Sequence, residues 1–232
     1  MSRFSEVSGW TENENRRVIL GLLERNDKAR LIDLGCWNGS FTQKVAAKVG
    51  TQHTWGVEID LEQGLNAEGK GVKVLRTDLN NTLPIENESF DVVLSNQVIE
   101  HISETDLLLK EMHRILREDG YAILSTPNLA AWHNIISLLV GLQPFSANVS
   151  NEVYVGNKYS PLHNRTVNNK GLMHLRIFTY ESLKELCEYH GFKVEKAVGV
   201  GFYPFIGAIP RLYSKIGFIR HAVYLTLKLR KK

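Results

Sequence analysis

Three carboxylate residues, Asp33, Glu58 and Asp78, each lie at or just beyond the end of an apolar run that is typical of a buried strand. In open α/β sheets, ligands bind at the edge formed by the carboxyl ends of the strands. One Asp at such a place is often only a turn former, but packing alone would not put three carboxylates along one edge. The set therefore predicts a binding site, in which Glu58 is placed to accept both hydroxyls of a ribose.

The first of these strands leads into a glycine-bearing turn. Residues 31–39 have the sequence LIDLGCWNG, and a helix is predicted to begin at Ser40. A strand, a glycine turn and a helix N-terminus let backbone N–H groups approach an anionic or zwitterionic ligand closely. A dinucleotide fingerprint needs glycine at the first, third and sixth positions of its loop, and these positions hold Gly35, Trp37 and Ser40. Two of the three glycines are missing, which argues against a nicotinamide dinucleotide.

The loop resembles the first motif of the class I S-adenosylmethionine (SAM)-dependent methyltransferases, with Trp37 in the place of the middle glycine. Strands predicted at Thr54–Ile59, Val72–Arg76 and Phe90–Ser95 follow in the order of that family. The resemblance is strong over residues 30–130 and weaker over 172–195.

The stretch from Leu83 to Asp91, followed by Glu100 and His101, is similar to the small-molecule branch of that family (methyltransferase type 11), which includes quinone-biosynthesis enzymes. The resemblance implies SAM as cofactor and S-adenosylhomocysteine as product. It also implies that Asn96 and Gln97 border the point of methyl transfer. The other implied cofactor contacts are Asp33, Gly35, Trp37 and Gly39 at the methionine end, Glu58 with Ile59 at the ribose, and Asp78 with Leu79 at the adenine.

Methyl transfer from a sulfonium is mainly a positioning task, because the leaving group is already activated. A hydroxyl acceptor gains from a general base, and the candidate catalytic residues are His101 and His174. The chain reads Ser-Asn-Gln at residues 95–97 instead of the Asn/Asp-Pro-Pro-aromatic signature of enzymes that methylate amino groups. Oxygen or carbon acceptors are therefore favoured, and Arg176 would suit a carboxylate or phosphate on the acceptor.

Glu100 and His101 allow more than one interpretation. In some members of the family such a pair binds a divalent cation together with a Glu three residues earlier, but that position holds Gln97 here. Because a hard cation such as Mg²⁺ prefers several oxygen ligands, no metal site is predicted. The alternatives are that the pair holds the loop after the fourth strand in shape, or that His101 contacts the acceptor.

The predicted fold class is α/β, a Rossmann-like methyltransferase domain with helices on both faces of a seven-stranded, mostly parallel sheet. Residues 223–230 alternate apolar and polar side chains, which indicates a strand, and in the family this last strand is antiparallel. A first helix is predicted from Thr11, as its cap, to about Asn26. The expected parts of this single domain are an N-terminal helical cap (1–28), a SAM-binding core (30–140), a lid-like insertion (141–175) and a C-terminal part (176–232).

Composition sets further limits. The 232 residues include two cysteines, far apart in sequence, and no apolar stretch of membrane-spanning length, so a cytoplasmic protein is expected. The formal charge is +3, yet residues 196–232 hold eight Lys or Arg and no acidic residue, which leaves −5 for residues 1–195. Such asymmetry is typical of contact with an anionic surface. The basic, apolar stretch 202–220 therefore either touches a membrane or simply covers the sheet edge.

The expected function is SAM-dependent methylation, on oxygen, of a small or lipid-linked acceptor. One alternative is a nucleic-acid methyltransferase that uses the basic C-terminal region; the acidic core domain argues against it. Another is a non-catalytic SAM-binding scaffold protein, for which Trp37 would be evidence. The sequence does not determine the oligomeric state.

Overall fold

Helices and strands alternate through most of the chain. The computed structural model describes residues 3–167, 173–215 and 218–232. The elements are, in order, α1 (Arg3–Leu22), β1 (Arg30–Leu34), α2 (Ser40–Val49), β2 (His53–Val57), α3 (Leu61–Glu68), β3 (Lys73–Leu75), β4 (Phe90–Asn96), α4 (Thr105–Ile115), β5 (Leu116–Pro127), α5 (Trp132–Leu139), α6 (Tyr180–Tyr189), β6 (Phe192–Val200), α7 (Ala208–Lys215) and β7 (Tyr224–Lys231), with short 3₁₀ turns at Ile99–His101 and Ile219–His221.

The seven strands form one sheet in the order β3-β2-β1-β4-β5-β7-β6. Strands β1 to β5 pair in parallel, and β7 lies antiparallel between β5 and β6. The predicted sheet, with its antiparallel last strand, is confirmed. The parallel topology brings the carboxyl ends of β1, β2, β3 and β4 to one edge.

The sheet is covered on both faces because its strands are apolar on both sides. Ile32 and Leu34 of β1 pack in one core with residues of α4 and α6. Leu31, the residue before Ile32, packs in a second core with residues of α1 and α2. Successive side chains of a strand point to opposite faces, and a strand buried on both sides is typical of an α/β sheet. The predicted helices on both faces are therefore confirmed.

The prediction for the first helix is wrong at both ends. The helix begins at Arg3 and ends at Leu22, so Thr11 lies in its interior and does not cap it. The Thr11 hydroxyl instead donates a hydrogen bond of 2.8 Å to the carbonyl of Val7, one turn earlier. Ser and Thr side chains make this bond inside helices as well as at their ends, so the residue type alone did not locate the N-terminus.

Helix α4 ends at Ile115, and β5 begins directly after it. Strand β5 pairs with β4 at Phe90–Leu116 and again from Val92–Tyr121, with an irregularity between. A Cβ on Gly120 would lie 2.8 Å from the Asp91 carbonyl. Gly120 therefore permits a close approach of two backbones within the sheet.

The segment predicted as a lid packs on α5. Tyr154 and Val167 donate backbone hydrogen bonds to Arg165 and Glu152 respectively, which folds residues 152–167 back on themselves. Residues 168–172 of the predicted insertion lie outside the described residues, as do residues 216–217 of the stretch 202–220. Among the described helices, none is both long and apolar enough to cross a membrane.

Candidate active site

The loop after β1 is shaped by two glycines with positive φ, Gly35 at +79° and Gly39 at +73°. The backbone N–H groups of Gly35 and Cys36 both donate to the Val57 carbonyl at the end of β2, at 2.8 and 3.0 Å. A Cβ on Gly35 would lie 2.6 Å from the Val98 side chain, and one on Gly39 would lie 2.9 Å from Ala67. Both positions therefore require glycine for space as well as for backbone conformation.

We predict that Gly39→Ala is much more destabilising than Gly71→Ala. Gly71 also has a positive φ, +85°, but a Cβ there would meet nothing within 4 Å. Its substitution should cost only the left-handed backbone, about 1–2 kcal/mol. Gly39→Ala adds a clash with the α3 backbone, for roughly 1–3 kcal/mol more. Urea unfolding of the two variants measures the difference, and equal losses would contradict the close contact between this loop and α3.

Trp37 occupies the left-handed region, with φ at +47°. The conformation is costly for a residue with a Cβ, which explains why glycine suits this position of the loop. The indole is 42% exposed and borders the cavity described below, so it narrows that cavity without closing it.

Glu58 joins the loop after β1 to the loop after β2. One carboxylate oxygen, Oε2, accepts a 2.9 Å hydrogen bond from the Trp37 N–H, and Oε1 accepts one of 2.9 Å from the Asp60 N–H. Each carboxylate oxygen can accept two hydrogen bonds. The side chain is thus fixed in orientation and retains acceptor capacity toward the cavity that it lines.

Asp33 is buried below the same loop. Its Oδ2 accepts a 2.6 Å hydrogen bond from the Thr42 hydroxyl. Burial raises the pKa of Asp33 to about 7; the nearby Glu58 carboxylate adds to this, while the Thr42 bond opposes it. A carboxyl group that titrates near neutrality can accept or donate a hydrogen bond to a polar ligand.

The loop after β3 holds Asp78 and Asn80. Asp78 accepts hydrogen bonds from the backbone and side-chain nitrogens of Asn80, both at 2.8 Å and both through Oδ1. The Asn80 carbonyl oxygen in turn accepts bonds from the Ser103 N–H and hydroxyl and from the Glu104 N–H. Asn80 thereby ties this loop to the start of α4. No local pattern of residues indicates this link, because its partners are more than 20 residues apart in the chain.

These loops surround one cavity of about 660 Å³, which we call the strand-end cavity. Its volume lies in the range of roughly 300–1,000 Å³ that is usual for ligand sites. Of the predicted cofactor contacts, only Gly39 does not line it, and His101 lines it as well. The predicted residues that the structure brings together there are Asp33, Gly35, Trp37, Glu58, Ile59, Asp78, Leu79, Asn96, Gln97 and His101.

Sequence reasoning missed the contribution of α1 and α2 to this cavity. Glu12 and Arg16 of α1, which form an ion pair with each other, and Phe41 of α2 also line it. The Arg16 guanidinium lies 5.5 Å from the centre of the Phe41 ring. The spacing within α1 predicted a helix, but no local signal shows over which loop that helix packs.

Asn96 and Gln97 at the end of β4 are held from below. Asn96 Oδ1 accepts a 3.0 Å hydrogen bond from the Asn15 amide of α1. Gln97 donates through its backbone to the Ser125 carbonyl and through its side chain to the Ser125 hydroxyl, at 2.8 and 3.2 Å. Its φ of +59° is unusual for a residue other than glycine, and such strained positions cluster at functional sites.

His101 and His174 lie side by side, with ring centroids 5.1 Å apart. His101 Nδ1 lies 3.1 Å from the Met173 carbonyl, and His174 Nδ1 lies 2.8 Å from the Ser146 carbonyl. A carbonyl can only accept a hydrogen bond, so each Nδ1 is the protonated nitrogen and each Nε2 carries a lone pair. Two histidines 73 positions apart in the chain thus present acceptor nitrogens at one place. Arg176, by contrast, donates a hydrogen bond to the Ser103 carbonyl and anchors its own loop.

Glu100 completes this group from inside the protein. It is 1% exposed, and its Oε2 accepts a 2.9 Å bond from the Thr126 hydroxyl. Its Oε1 is buried with no hydrogen-bond partner among the described residues and lies 3.9 Å from His101 Nε2. Burial raises the pKa of Glu100 to about 8 and lowers the pKa of His101 to about 4. Both side chains are therefore neutral at pH 7.

Ligand atoms of Glu100, His101 and His174 all lie within 4.8 Å of one another, so these residues could hold a divalent cation. Each histidine also donates a hydrogen bond from its other ring nitrogen to a backbone carbonyl, as metal-ligating histidines commonly do. A cation would first have to displace the Glu100 proton, since metals bind the ionised carboxylate.

We predict that Glu100→Gln changes how stability depends on pH. The folded-state pKa of about 8 lies above the ordinary value of 4.5, so the wild type loses stability as pH rises from about 4.5 to 8. The amide of the variant cannot ionise, so the variant lacks this loss of stability. The loss amounts to about 1.4 kcal/mol for each unit by which the folded-state pKa exceeds the ordinary value. Urea unfolding at pH 5 and pH 9 should show a smaller decline for the variant than for the wild type. Parallel declines would mean that Glu100 ionises normally.

Comparison with known proteins supports the geometry. A family model described as a methyltransferase domain matches residues 8–197. Over its whole length the chain has the fold of a SAM-dependent methyltransferase from Thermotoga maritima described as a possible histamine N-methyltransferase, with a TM-score of 0.66, 20% identity and coverage of 99% and 93% of the two chains. A putative SAM-dependent methyltransferase from Listeria monocytogenes gives a TM-score of 0.65 at 18% identity, with 98% and 99% covered.

Curated relatives match part of the chain. A bifunctional methionine biosynthesis protein, MetXA/MetW, from Rhodopirellula baltica is 33% identical over 128 residues, which are 52% of this chain and 20% of that protein. A ubiquinone biosynthesis O-methyltransferase from Ruegeria pomeroyi is 31% identical over 106 residues, 43% of this chain and 41% of that enzyme. The match thus spans less than half the length of either relative.

Proposed function

Because this chain belongs to the methyltransferase-domain family and has the fold of SAM-dependent methyltransferases, we propose that it transfers the methyl group of SAM to an oxygen atom of a small or lipid-linked acceptor. The observation that carries the proposal is the strand-end cavity. It gathers carboxylates from the ends of β1, β2 and β3 at one side and presents His101 at another.

The residues around the strand-end cavity fit SAM. A Cβ at Gly35 would fill the space beside its backbone. Because Gly35 has no Cβ, this space suits the methionine half of SAM. The Glu58 carboxylate, already oriented by two backbone N–H groups, takes the ribose hydroxyls, with Ile59 beside it. Asp78 takes the adenine amino group, and Leu79 packs on the ring. When bound, SAM supplies a methyl group on a positively charged sulfur.

The acceptor oxygen meets His101 at the end of the cavity near Gln97. His101 Nε2 is unprotonated and can accept the proton that a hydroxyl loses during transfer. His174, oriented by the Ser146 carbonyl, holds the neighbouring position. Relatives named O-methyltransferases favour oxygen as the acceptor atom, and the predicted chemistry needs no metal ion.

The remaining parts of the chain serve this site. We assign α1 to a cap over the cofactor, since Glu12 and Arg16 reach the strand-end cavity. The described part of the insertion, 141–167 with 173–175, is assigned to a lid on the acceptor side, since Ser146 and Met173 hold the two histidines. Residues 30–140 form the cofactor-binding core of the same domain.

Peripheral membrane contact through residues 202–220 would be mainly hydrophobic. Phe205, Ile209 and Leu212 are each at least 40% exposed. Of the basic residues there, Arg211 pairs with Glu14 and Arg220 pairs with Glu181, so their charge is partly used within the chain. Co-sedimentation with liposomes should therefore depend little on salt. If the protein binds no vesicle, the role of α7 is to cover the edge strand β6.

Cys36 and Cys187 are free and buried, as expected for a reducing, cytoplasmic setting.

Calorimetric titration with SAM and with S-adenosylhomocysteine tests the cofactor site first. Micromolar binding of both, about 8 kcal/mol, is the expected result. No binding by the folded protein would overturn the proposal and favour a scaffold role. Retention on RNA that weakens steeply with salt would favour a nucleic-acid substrate instead.

A further inference from the structure

A second cavity, of about 600 Å³, lies among the N-terminal turns of α1, the helix α5, the segment 142–159 and the loop at Tyr203-Pro204. We call it the apolar cavity. We propose that it holds the hydrocarbon chain of the methyl acceptor, which makes that acceptor a lipid-linked molecule. This inference rests on the proposed function and deepens it.

The walls of the apolar cavity are hydrocarbon and aromatic. Its apolar lining residues come from three separate parts of the chain and include Val7, Ile136, Val140, Leu142 and Phe145. Burial of such side chains against a ligand is favourable in proportion to the apolar area removed from water. A polar metabolite would lose its hydration here without compensation.

Three of the polar side chains in these walls are already hydrogen-bonded within the protein. Ser137 donates to the His133 carbonyl at 2.9 Å, and Asn157 donates to the Gln143 carbonyl at 2.9 Å. The Tyr203 hydroxyl forms side-chain hydrogen bonds with Ser8, Thr11 and Tyr224. These groups are therefore not available to bind a polar ligand, which favours an apolar occupant.

His133 does not make the cavity polar. Its ring packs against Phe145 and Tyr203, with centroids 5.7 and 4.9 Å away. Burial lowers its pKa to about 4, so it is an uncharged ring at neutral pH. Its Nδ1 is buried without a hydrogen-bond partner among the described residues.

Neighbouring residues of the chain link the apolar cavity to the proposed transfer site. Phe145 lines it, and the next residue, Ser146, accepts the hydrogen bond from His174. Helix α1 forms a wall of both cavities, with Val7 in one and Glu12 in the other. Five residues of helix correspond to about 7.5 Å along the axis, so one molecule can place its polar head near His174 and its chain in the apolar cavity.

The surface outside the cavity suits entry of a long chain. On α5 and at its end, Ile136, Leu139 and Val140 are 57%, 79% and 63% exposed, and Ile136 and Val140 also line the cavity. A patch of this kind, continuous with an apolar interior, is typical of a ligand or membrane contact.

The test uses 11-(dansylamino)undecanoic acid as a fluorescent probe of the whole protein, with farnesol as an uncharged competitor. Ile136→Glu places a charge in the cavity wall. Leu138→Glu is the matched control, because Leu138 lies on the same helix, is 58% exposed and does not line the cavity. We expect farnesol to displace the probe, Ile136→Glu to weaken probe binding at least 10-fold, and Leu138→Glu to change it less than 2-fold.

No probe binding by the wild type, or equal weakening in the two variants, would overturn the inference. Concentration-dependent dimers that Ile136→Glu abolishes, without probe binding, would assign the face to a second copy of the chain instead. Titration with SAM separates the two proposals, since it should be unchanged in both variants. If SAM does not bind, the proposed function fails while the probe result still decides what the cavity holds.

Labelled SAM then connects the cavity to the acceptor. With methyl-tritiated SAM, label should enter a lipid extract of the organism that makes the protein, and Ile136→Glu should reduce that transfer at least 10-fold while Leu138→Glu does not. Label confined to the water-soluble extract, at equal rates in all three proteins, would show that the acceptor has no chain in the cavity.

Discussion

Replacing Glu58 by alanine will weaken SAM binding at least 100-fold. The carboxylate is 7% exposed and fixed by the N–H groups of Trp37 and Asp60, so little reorganisation is needed when two ribose hydroxyls bind. Hydrogen bonds to a charged group contribute about 1.5–3 kcal/mol each, and two of them account for a loss of this size. Calorimetric titration with SAM and with S-adenosylhomocysteine measures it.

Two further variants show whether the loss is specific. Glu58→Gln keeps one acceptor oxygen and should lie between alanine and the wild type. Glu62→Ala removes an exposed carboxylate from the first turn of α3, outside the strand-end cavity, and should bind SAM within 2-fold of the wild type. If a folded Glu58→Ala protein bound SAM within 10-fold of the wild type, the ribose would not lie at Glu58.

The sequence predicted the sheet edge well because the signals there are local. Apolar runs ending near Asp33, Glu58 and Asp78 required only that the strands be parallel, and the parallel arrangement then brought the carboxylates to one edge. The N-terminus of α6 carries a similarly local signal, because Thr179 caps it through a reciprocal bond with Ser182, three residues later.

What the sequence did not reveal depends on contacts between distant residues. Thr11 has the side chain of a helix cap, yet it bonds within the helix because α1 continues to Arg3. Glu12 and Arg16 reach the strand-end cavity only because α1 packs beside β6 and β7. Likewise, the left-handed φ of Trp37 follows from the path that the loop must take. A residue with a Cβ disfavours this φ, so the residue type does not predict it.

The sequence predicted individual residues on the acceptor side of the site, but not that they lie together. His101 and His174 were separate candidates, and only the fold shows that ligand atoms of both lie within 4.8 Å of each other and of Glu100. The apolar cavity was missed because its walls come from α1, α5 and two loops. No single segment carries its pattern, since each contributes only one to a few apolar residues.

Replacing His101 by alanine will lower kcat by a factor of 10² to 10⁴, the usual contribution of a general base, while SAM binds within a few-fold of the wild type. His101 lines the cavity, but its hydrogen bond is to the Met173 carbonyl, so the proposed cofactor contacts at Glu58 and Asp78 stay intact. His174→Ala should lower kcat less, because His174 neighbours the transfer point without lining the strand-end cavity.

A pH profile separates a base from a merely structural histidine. Burial holds the pKa of His101 at about 4, so the unprotonated base is the main form at every pH above about 5. We therefore expect kcat of the wild type to fall only in acid, as His101 takes up its proton. The measurement is made at saturating SAM, so that titration of Asp33 near pH 7 does not limit cofactor binding. A decline already centred near pH 6.5 would point to a histidine with an ordinary pKa and remove His101 as the base. A His101→Gln variant with wild-type kcat would do the same, since glutamine fills much of the space but cannot take the proton.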